Sequence, residues 1–202
     1  MGTRHLICAV KDGKYCIAQY GQWDGYPAGQ GTSILEFLKS SKVEALKDNL
    51  LKCSWLSNAE TKAMWKEFGV DIDQERFVSD KIADRFYTKY PELNRDTGAD
   101  ILTLVANASE GLKLIDSIDF ARDSVFCEWA YVIDFDKNTF EVYKGFNDKP
   151  LDKSERFFSE NLVNYSSSTT YYPVRLVATY QLSELPTSED FVTQCDPPED
   201  EE

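Results

Sequence analysis

Apolar residues run along this chain in two rhythms, one suited to strands and one to helices. His5-Leu6-Ile7-Cys8-Ala9-Val10 is an unbroken apolar run, and Tyr15–Tyr20 is a second short segment rich in β-formers. Between them Asp12-Gly13 is a two-residue turn signal, because glycine tolerates the positive φ that such a turn demands. This pattern predicts a β-hairpin whose first strand, apolar on both faces, lies inside a sheet. Ser33-x-x-Glu36, Ser41-x-x-Glu44 and Ser57-x-x-Glu60 then repeat capping-box spacing. Each stands ahead of an apolar stripe: Ile34, Leu35, Phe37 and Leu38; Val43, Leu46, Leu50 and Cys53; Met64, Trp65 and Phe68. Residues 69–95 leave two readings open, short helices or an ordered loop around Phe77, Ile82, Phe86 and Tyr87. A further helix is predicted from about Thr97, capped by its hydroxyl, with Ile101, Leu104, Val105 and Ala108 at helical spacing. Phe126–Phe135 and Thr139–Lys144 read as a strand pair around Asp136-Lys137-Asn138. After a polar loop at Ser166–Thr170, alternation over Tyr172–Leu182 predicts the last strand.

Strands grouped as hairpins, with helices gathered between them, predict an α+β fold with a largely antiparallel sheet of about five strands covered by helices. One version of that architecture is a layered sandwich resembling the N-terminal nucleophile hydrolases. The chain reads as a single globular domain over 1–195, followed by an acidic disordered tail at 196–202.

Charge narrows the partners. The net charge is −13, and Asp196, Glu199, Asp200, Glu201 and Glu202 carry five of those negatives, leaving −8 on the rest. Phosphate-rich partners need a basic surface, so nucleic acid and anionic membrane surfaces are not expected. No apolar run approaches the ~18 residues of a membrane span, and the start does not read as a signal peptide. The five cysteines, Cys8, Cys16, Cys53, Cys127 and Cys195, are scattered without a C-x-x-C pair. They read as free thiols of a reducing, cytoplasmic setting rather than as a disulfide or zinc framework.

The segment Gly21-Gln22-Trp23-Asp24-Gly25-Tyr26-Pro27-Ala28-Gly29-Gln30-Gly31 is neither helix nor strand throughout. Together with the opening Met1-Gly2-Thr3-Arg4, it resembles a family of short bacterial, phage and fungal proteins that begin MGTR and carry QxDGYPxGxG. Arg95-Asp96-Thr97-Gly98-Ala99 is similar to a segment of the larger members. The resemblance implies a shared fold; the family has no established activity, so no mechanism comes with it.

A tight turn at Asp12-Gly13 pairs residues whose numbers sum to about 25, which sets Arg4 across from Gly21 and Thr3 across from Gln22. Donors (Arg4, helix N–H groups), an acid (Asp24), an amide (Gln22) and aromatic walls (Trp23, Tyr26) then converge at the open end of the hairpin. That is the composition of a polar ligand pocket, formed by Arg4, Gln22, Trp23, Asp24, Gly25, Tyr26, Gly29 and Gly31. Glycines ahead of a helix also suggest an anion cradle, although no Lys follows Gly31 as in a nucleotide-binding loop. The plainer reading is a buried Arg4–Asp24 ion pair, with glycines present because φ must be positive.

Catalytic candidates are Asp24, Arg4 and Thr3, the last by analogy with N-terminal nucleophiles, although removal of Met1 would expose Gly2 instead. His5 is the only histidine, and a lone strand histidine is more often structural than catalytic. Cys8 has no evident base, and Asp134 with Asp136 lacks a third acidic partner for a metal. No cofactor is expected, and nothing here speaks to oligomeric state. Two classes of function follow: a binding protein for a small polar or anionic ligand or a protein partner, and an amide-bond or other hydrolase using Asp24 and Arg4.

Overall fold

The computed structural model of the chain describes residues 2–75, 77–160 and 170–197. The opening hairpin forms from β1 (His5–Lys11) and β2 (Lys14–Gly21), with Asp12 and Gly13 at φ 51° and 69°, both positive as a type I′ turn requires. Its register departs from the simple sum. Val10 faces Tyr15 but Ala9 faces Ile17, so Cys16 is an extra residue and the ladder ends with His5 opposite Gly21. This β-bulge corrects the expected pairing of Arg4 with Gly21 by one residue.

After β2 a single π-helical turn (Pro27–Gly31) runs directly into α1 (Thr32–Leu38), and α2 spans Val43–Asn49. A two-residue strand β3 (Ser54–Trp55) precedes α3 (Asn58–Glu67) and α4 (Asp80–Lys89), so 69–95 does contain a helix. Then come α5 (Asp100–Asn107), β4 (Lys113–Leu114) and a 3-10 turn at Ile118–Arg122. The strands β5 (Trp129–Asp134), β6 (Thr139–Lys144) and β7 (Arg175–Gln181) precede a closing helix α6 (Ser188–Cys195).

One of the three capping boxes is real. Ser57 Oγ accepts from the Glu60 N–H, and the Glu60 carboxylate accepts from the Ser57 N–H at 2.9 Å. Ser33 instead donates to the Gly29 carbonyl at 3.2 Å, because the π turn already supplies the helical turn before it. Ser41 stands ahead of a helix that has no side-chain cap. Thr97 does not cap α5 either: its hydroxyl donates to the Pro91 carbonyl, and the N-cap is Ala99. The helix α6 is an element beyond the sequence-based expectation, capped by Thr187, which accepts from the Asp190 N–H at 3.1 Å.

The large sheet has the order β2-β1-β5-β6-β7. β1 runs parallel to β5 and the other pairs are antiparallel, so the sheet is mixed rather than built from hairpins alone. One face, including Ile7, Ile17, Tyr131, Ile133 and Phe140, packs on Ile34 and Leu35 of α1, Leu46 of α2, Ile101 and Val105 of α5, and Phe191 of α6. The other face, including Leu6, Cys8, Ala130, Val132 and Tyr143, packs on Ala121 of the 3-10 turn and on Leu151, Phe157 and Val174 from irregular segments. Among the described residues the α-helices therefore lie on the first of these faces, and burial on both faces accounts for the unbroken apolar run of β1. Among the described residues no second large sheet stacks on this one; β3 and β4 pair over two residues each.

The Trp65 ring stacks on Phe86 of α4 at 3.7 Å between centroids, in keeping with its reading as helix packing. Tyr165, most of the 166–170 loop and the last five residues lie outside the described residues. Among the described residues no helix is long and apolar enough to cross a membrane.

Candidate functional site

Where β2 leaves the sheet, the chain folds back onto its own beginning. The Gly25 N–H donates to the Thr3 carbonyl at 2.9 Å, so the opening residues and the glycine-rich loop are neighbours, as the hairpin predicts. The segment Arg95–Ala99 joins them: the Gln22 N–H donates to the Arg95 carbonyl (3.1 Å), and the Ala99 N–H donates to Gln30 Oε1 (2.7 Å). From β5, the Tyr131 hydroxyl reaches across to the Gly25 carbonyl at 2.8 Å.

The glycines are there for close approach, not for backbone handedness. Gly25, Gly29 and Gly31 are not among the positive-φ residues; that conformation falls on Asp24, at φ 55°. A Cβ on Gly25 would lie 2.8 Å from the Thr3 carbonyl oxygen, and one on Gly29 would lie 2.4 Å from that of Asp24. On Gly31 it would lie 2.9 Å from the Phe191 ring.

The same compactness uses up the loop's donors. Gly29 and Gly31 both donate to the Tyr26 carbonyl (3.0 and 3.2 Å), and Gln30 donates to the Asp24 carbonyl (2.8 Å). The Thr32 N–H points to the Gly29 and Pro27 carbonyls. The anion cradle expected of Gly25, Gly29 and Gly31 is corrected on this ground, since N–H groups bonded inside the turn are not offered to a phosphate or carboxylate.

Nor do the charges pair as expected. The Arg4 guanidinium sits 3.3 Å from Glu128 Oε1, its backbone N–H donates to the same oxygen at 3.2 Å, and the cation lies 4.6 Å from the centre of the Phe126 ring. Glu128 comes just ahead of β5, and the parallel pairing of β5 with β1 is what delivers it to Arg4. Asp24 is left exposed, flanked by the half-exposed rings of Trp23 and Tyr26, while Thr3 is buried. Asp24, Tyr26, Ala28, Gly29, Gln30, Thr32 and Ser33 line a shallow depression of about 400 Å³. A larger one of about 650 Å³ lies between α4 and Asn94, Arg95 and Asp96, the segment that Gln22 touches.

Neither His5 nor Cys8 forms a nucleophile–base pair among the described residues. His5 is 1% exposed, and neither ring nitrogen has a hydrogen-bond partner. Burial pulls its pKa down to about 4, against an opposing influence of the Thr3 backbone. Cys8 is fully buried, and burial raises its thiol far above the ordinary range. Among the described residues no three His, Cys, Asp or Glu side chains converge as metal ligands.

Sequence reasoning missed a polar cluster at the other end of the strands. Arg156, from the irregular segment after β6, donates through Nε to Glu141 Oε2 (2.6 Å) and through Nη2 to Glu141 Oε1 (2.9 Å) and to Asp134 Oδ2. The Tyr143 hydroxyl donates to Glu141 Oε2 at 2.6 Å. Burial alone would raise both acids, but the guanidinium beside them holds Asp134 and Glu141 below the usual carboxylate range. Asp136, weighed as a metal ligand, accepts from the N–H groups of Asp12 and Gly13 (2.9 and 2.8 Å) and so ties the two hairpin turns together. Asp134 and Glu141 stand on neighbouring strands, which a sequence can suggest; nothing in the spacing points to Arg156.

Comparison of the whole chain with models of known protein families, with characterised proteins and with solved structures finds no match to any of them.

Proposed function

We propose that this is a binding protein whose site is the corner formed by Trp23, Asp24, Tyr26 and the depression beside them. The observation that carries the reading is Asp24 itself. Its backbone is in the left-handed conformation, its carbonyl accepts from the Gln30 N–H, and the residue is exposed, next to the half-exposed Trp23 and sharing a depression with the half-exposed Tyr26. Aspartate adopts this conformation at little cost, as Asp12 does in the first hairpin turn, so the loop can hold an acid here without strain.

The N–H groups of Gly25, Gly29, Gln30, Gly31 and Thr32 are spent internally, which leaves the Asp24 carboxylate as the charged group offered to a ligand. The ligand class is a polar molecule, or a segment of a partner, that presents N–H or O–H donors to Asp24 and an apolar edge to Trp23 or Tyr26. This narrows the sequence-based expectation, which included anions. The hydrolase alternative draws no support from the geometry: Arg4 is engaged by Glu128, and the Thr32 and Ser33 hydroxyls that share the depression with Asp24 donate to the Pro27 and Gly29 carbonyls. Five unpaired thiols support a reducing compartment, and the three motifs meeting at one corner support the family resemblance as a likeness of fold.

Asparagine keeps the shape of Asp24 and tolerates positive φ, so Asp24→Asn removes the charge alone. A thermal-shift and calorimetric screen of amines, polyols, amino acids and peptides is expected to yield ligands that raise the melting temperature of the wild type. Their binding should weaken about tenfold in Asp24→Asn, the loss of roughly one charge-assisted hydrogen bond, with the ligand-free melting temperature unchanged. Hits confined to anions, or hits that bind Asp24→Asn equally well, refute the site.

A further inference from the structure

The depression beside Asp24 offers acceptors from three residues. No Lys, Arg or His lines it, and Asp24 is its single acid. The Thr32 hydroxyl donates to the Pro27 carbonyl (2.9 Å) and the Ser33 hydroxyl to the Gly29 carbonyl (3.2 Å). Each hydroxyl has its proton committed, so towards a ligand it is an acceptor. One carboxylate and two hydroxyl oxygens therefore share a shallow, open surface.

The aromatic residues on either side of Asp24 stand on fixed backbone. Tyr26, 46% exposed, precedes Pro27, and its carbonyl accepts from Gly29 and Gly31 (3.0 and 3.2 Å). Trp23 is 47% exposed, yet its indole lies against Gly2, where a Cβ would come within 2.2 Å of Cε3 and 2.6 Å of Cζ3. The six-membered ring is thus backed by the opening residues of the chain. Aromatic side chains have few torsions to lose, and a fixed backbone lowers the cost of binding further. Three residues of chain put Trp23 and Tyr26 at most about 11 Å apart between Cα atoms.

We propose that the ligand of this corner is a neutral saccharide chain, an inference that rests on the binding site proposed above. A sugar ring has an apolar C–H face and a rim of hydroxyl groups. The face stacks on Tyr26, neighbouring hydroxyls donate to the Asp24 carboxylate, and the Thr32 and Ser33 oxygens accept from others. Trp23 lies beside the depression rather than in it, and takes a second sugar of the same chain. An amine suits the surface less well. It gathers its donors on one atom, whereas the acceptors here belong to three residues, and a single exposed carboxylate gains little from an ion pair in water. An anion would find no cation among the lining residues.

Titration calorimetry and saturation-transfer NMR test this with gluco-, manno-, xylo- and N-acetylglucosamine trisaccharides and their monosaccharides. At least one series is expected to bind in the millimolar range or tighter, the trisaccharide about tenfold more tightly than the single sugar. Tyr26→Ala should weaken both about tenfold, and Tyr26→Phe, which keeps the ring, should bind as the wild type does. Trp23→Ala should bring the trisaccharide down to the affinity of the monosaccharide. Both positions are exposed, so the fold is expected to survive, and circular dichroism checks it. Amines or amino acids that bind through Asp24, with no saccharide bound at millimolar concentration, overturn the saccharide and leave the site standing. A saccharide bound equally by Asp24→Asn overturns the site as well, and one bound equally by Tyr26→Ala overturns the stacking on which the proposal depends.

Discussion

Replacing His5 with phenylalanine and lowering the pH from neutral to about 4.5 isolates what the burial of this imidazole costs the fold. The ring lies against Gly21, where a Cβ would come within 2.2 Å of Nε2, and on β5 it stands opposite Trp129. With neither nitrogen bonded, charging the ring in place is unfavourable, and its pKa falls from 6.5 to about 4. In the unfolded chain the imidazole takes up its proton near 6.5; in the folded chain it holds out until about 4. Between those values the unfolded state binds more protons, so stability is complete above the upper one and drains away as pH falls.

At ~1.36 kcal/mol per unit, the two units from 6.5 to about 4.5 remove about 2 kcal/mol once the rounded ends of the titration are allowed for. That is a sizeable part of a typical folding stability of ~5–15 kcal/mol. The window is selective, because Asp134 and Glu141 are held low and lose their contribution only as pH falls through still lower values. Burial raises Glu92, which acts in the opposite sense, and subtracting the His5→Phe curve cancels it.

Urea denaturation of both proteins across this range should show the wild type losing about 2 kcal/mol more than His5→Phe. At neutral pH the variant should be as stable or more so, since two unbonded nitrogens leave the core. Parallel loss in both proteins, or an imidazole that titrates near 6.5 by NMR, refutes the reasoning.

Three further substitutions test how the fold is held together. Arg156→Ala strands two buried carboxylates and should cost about 3–5 kcal/mol near neutral pH by chemical denaturation. The deficit should shrink in acid as Asp134 and Glu141 protonate, and Arg156→Met with Asp134→Asn and Glu141→Gln should recover most of it; an undiminished deficit in acid would mean the ion pairs are not its source. Gly31→Ala should cost about 1–3 kcal/mol by overpacking the Phe191 and Tyr131 rings, although the helical backbone of Gly31 suits alanine. Gly13→Ala, with open space at its Cβ, should lose only about 1–2 kcal/mol through its positive φ. A Gly31→Ala protein as stable as wild type would show that α6 does not press on the loop.

The hairpin was legible because its determinants are local: a turn dipeptide and two short runs of β-formers. Its register was not, because the extra residue at Cys16 leaves no mark in the polar–apolar pattern. Ser57 capped as its spacing implies, whereas Ser33 carries the same spacing and does not, since the turn before it is already helical. The parallel pairing of β1 with β5 joins strands more than a hundred residues apart, beyond the reach of periodicity. The partner of Arg4 followed from that pairing, so an ion pair with Asp24 was the natural expectation and Glu128 the outcome.

The glycine-rich segment shows most clearly how a motif and a site come apart. Gly25, Gly29 and Gly31 are each required by an atom within 3 Å of where a side chain would begin, and those atoms belong to Thr3, Asp24 and Phe191. Arg95 and Gln30 complete the joint with bonds to and from the main chain. These contacts hold the first residues, the loop, α6 and the approach to α5 together. The glycines of this segment therefore describe how the corner is built. In the proposed site, binding chemistry comes from residues that the joint leaves exposed or half-exposed, Trp23, Asp24 and Tyr26. A homologue with the same glycines and a different residue at position 24 should keep this fold and bind something else.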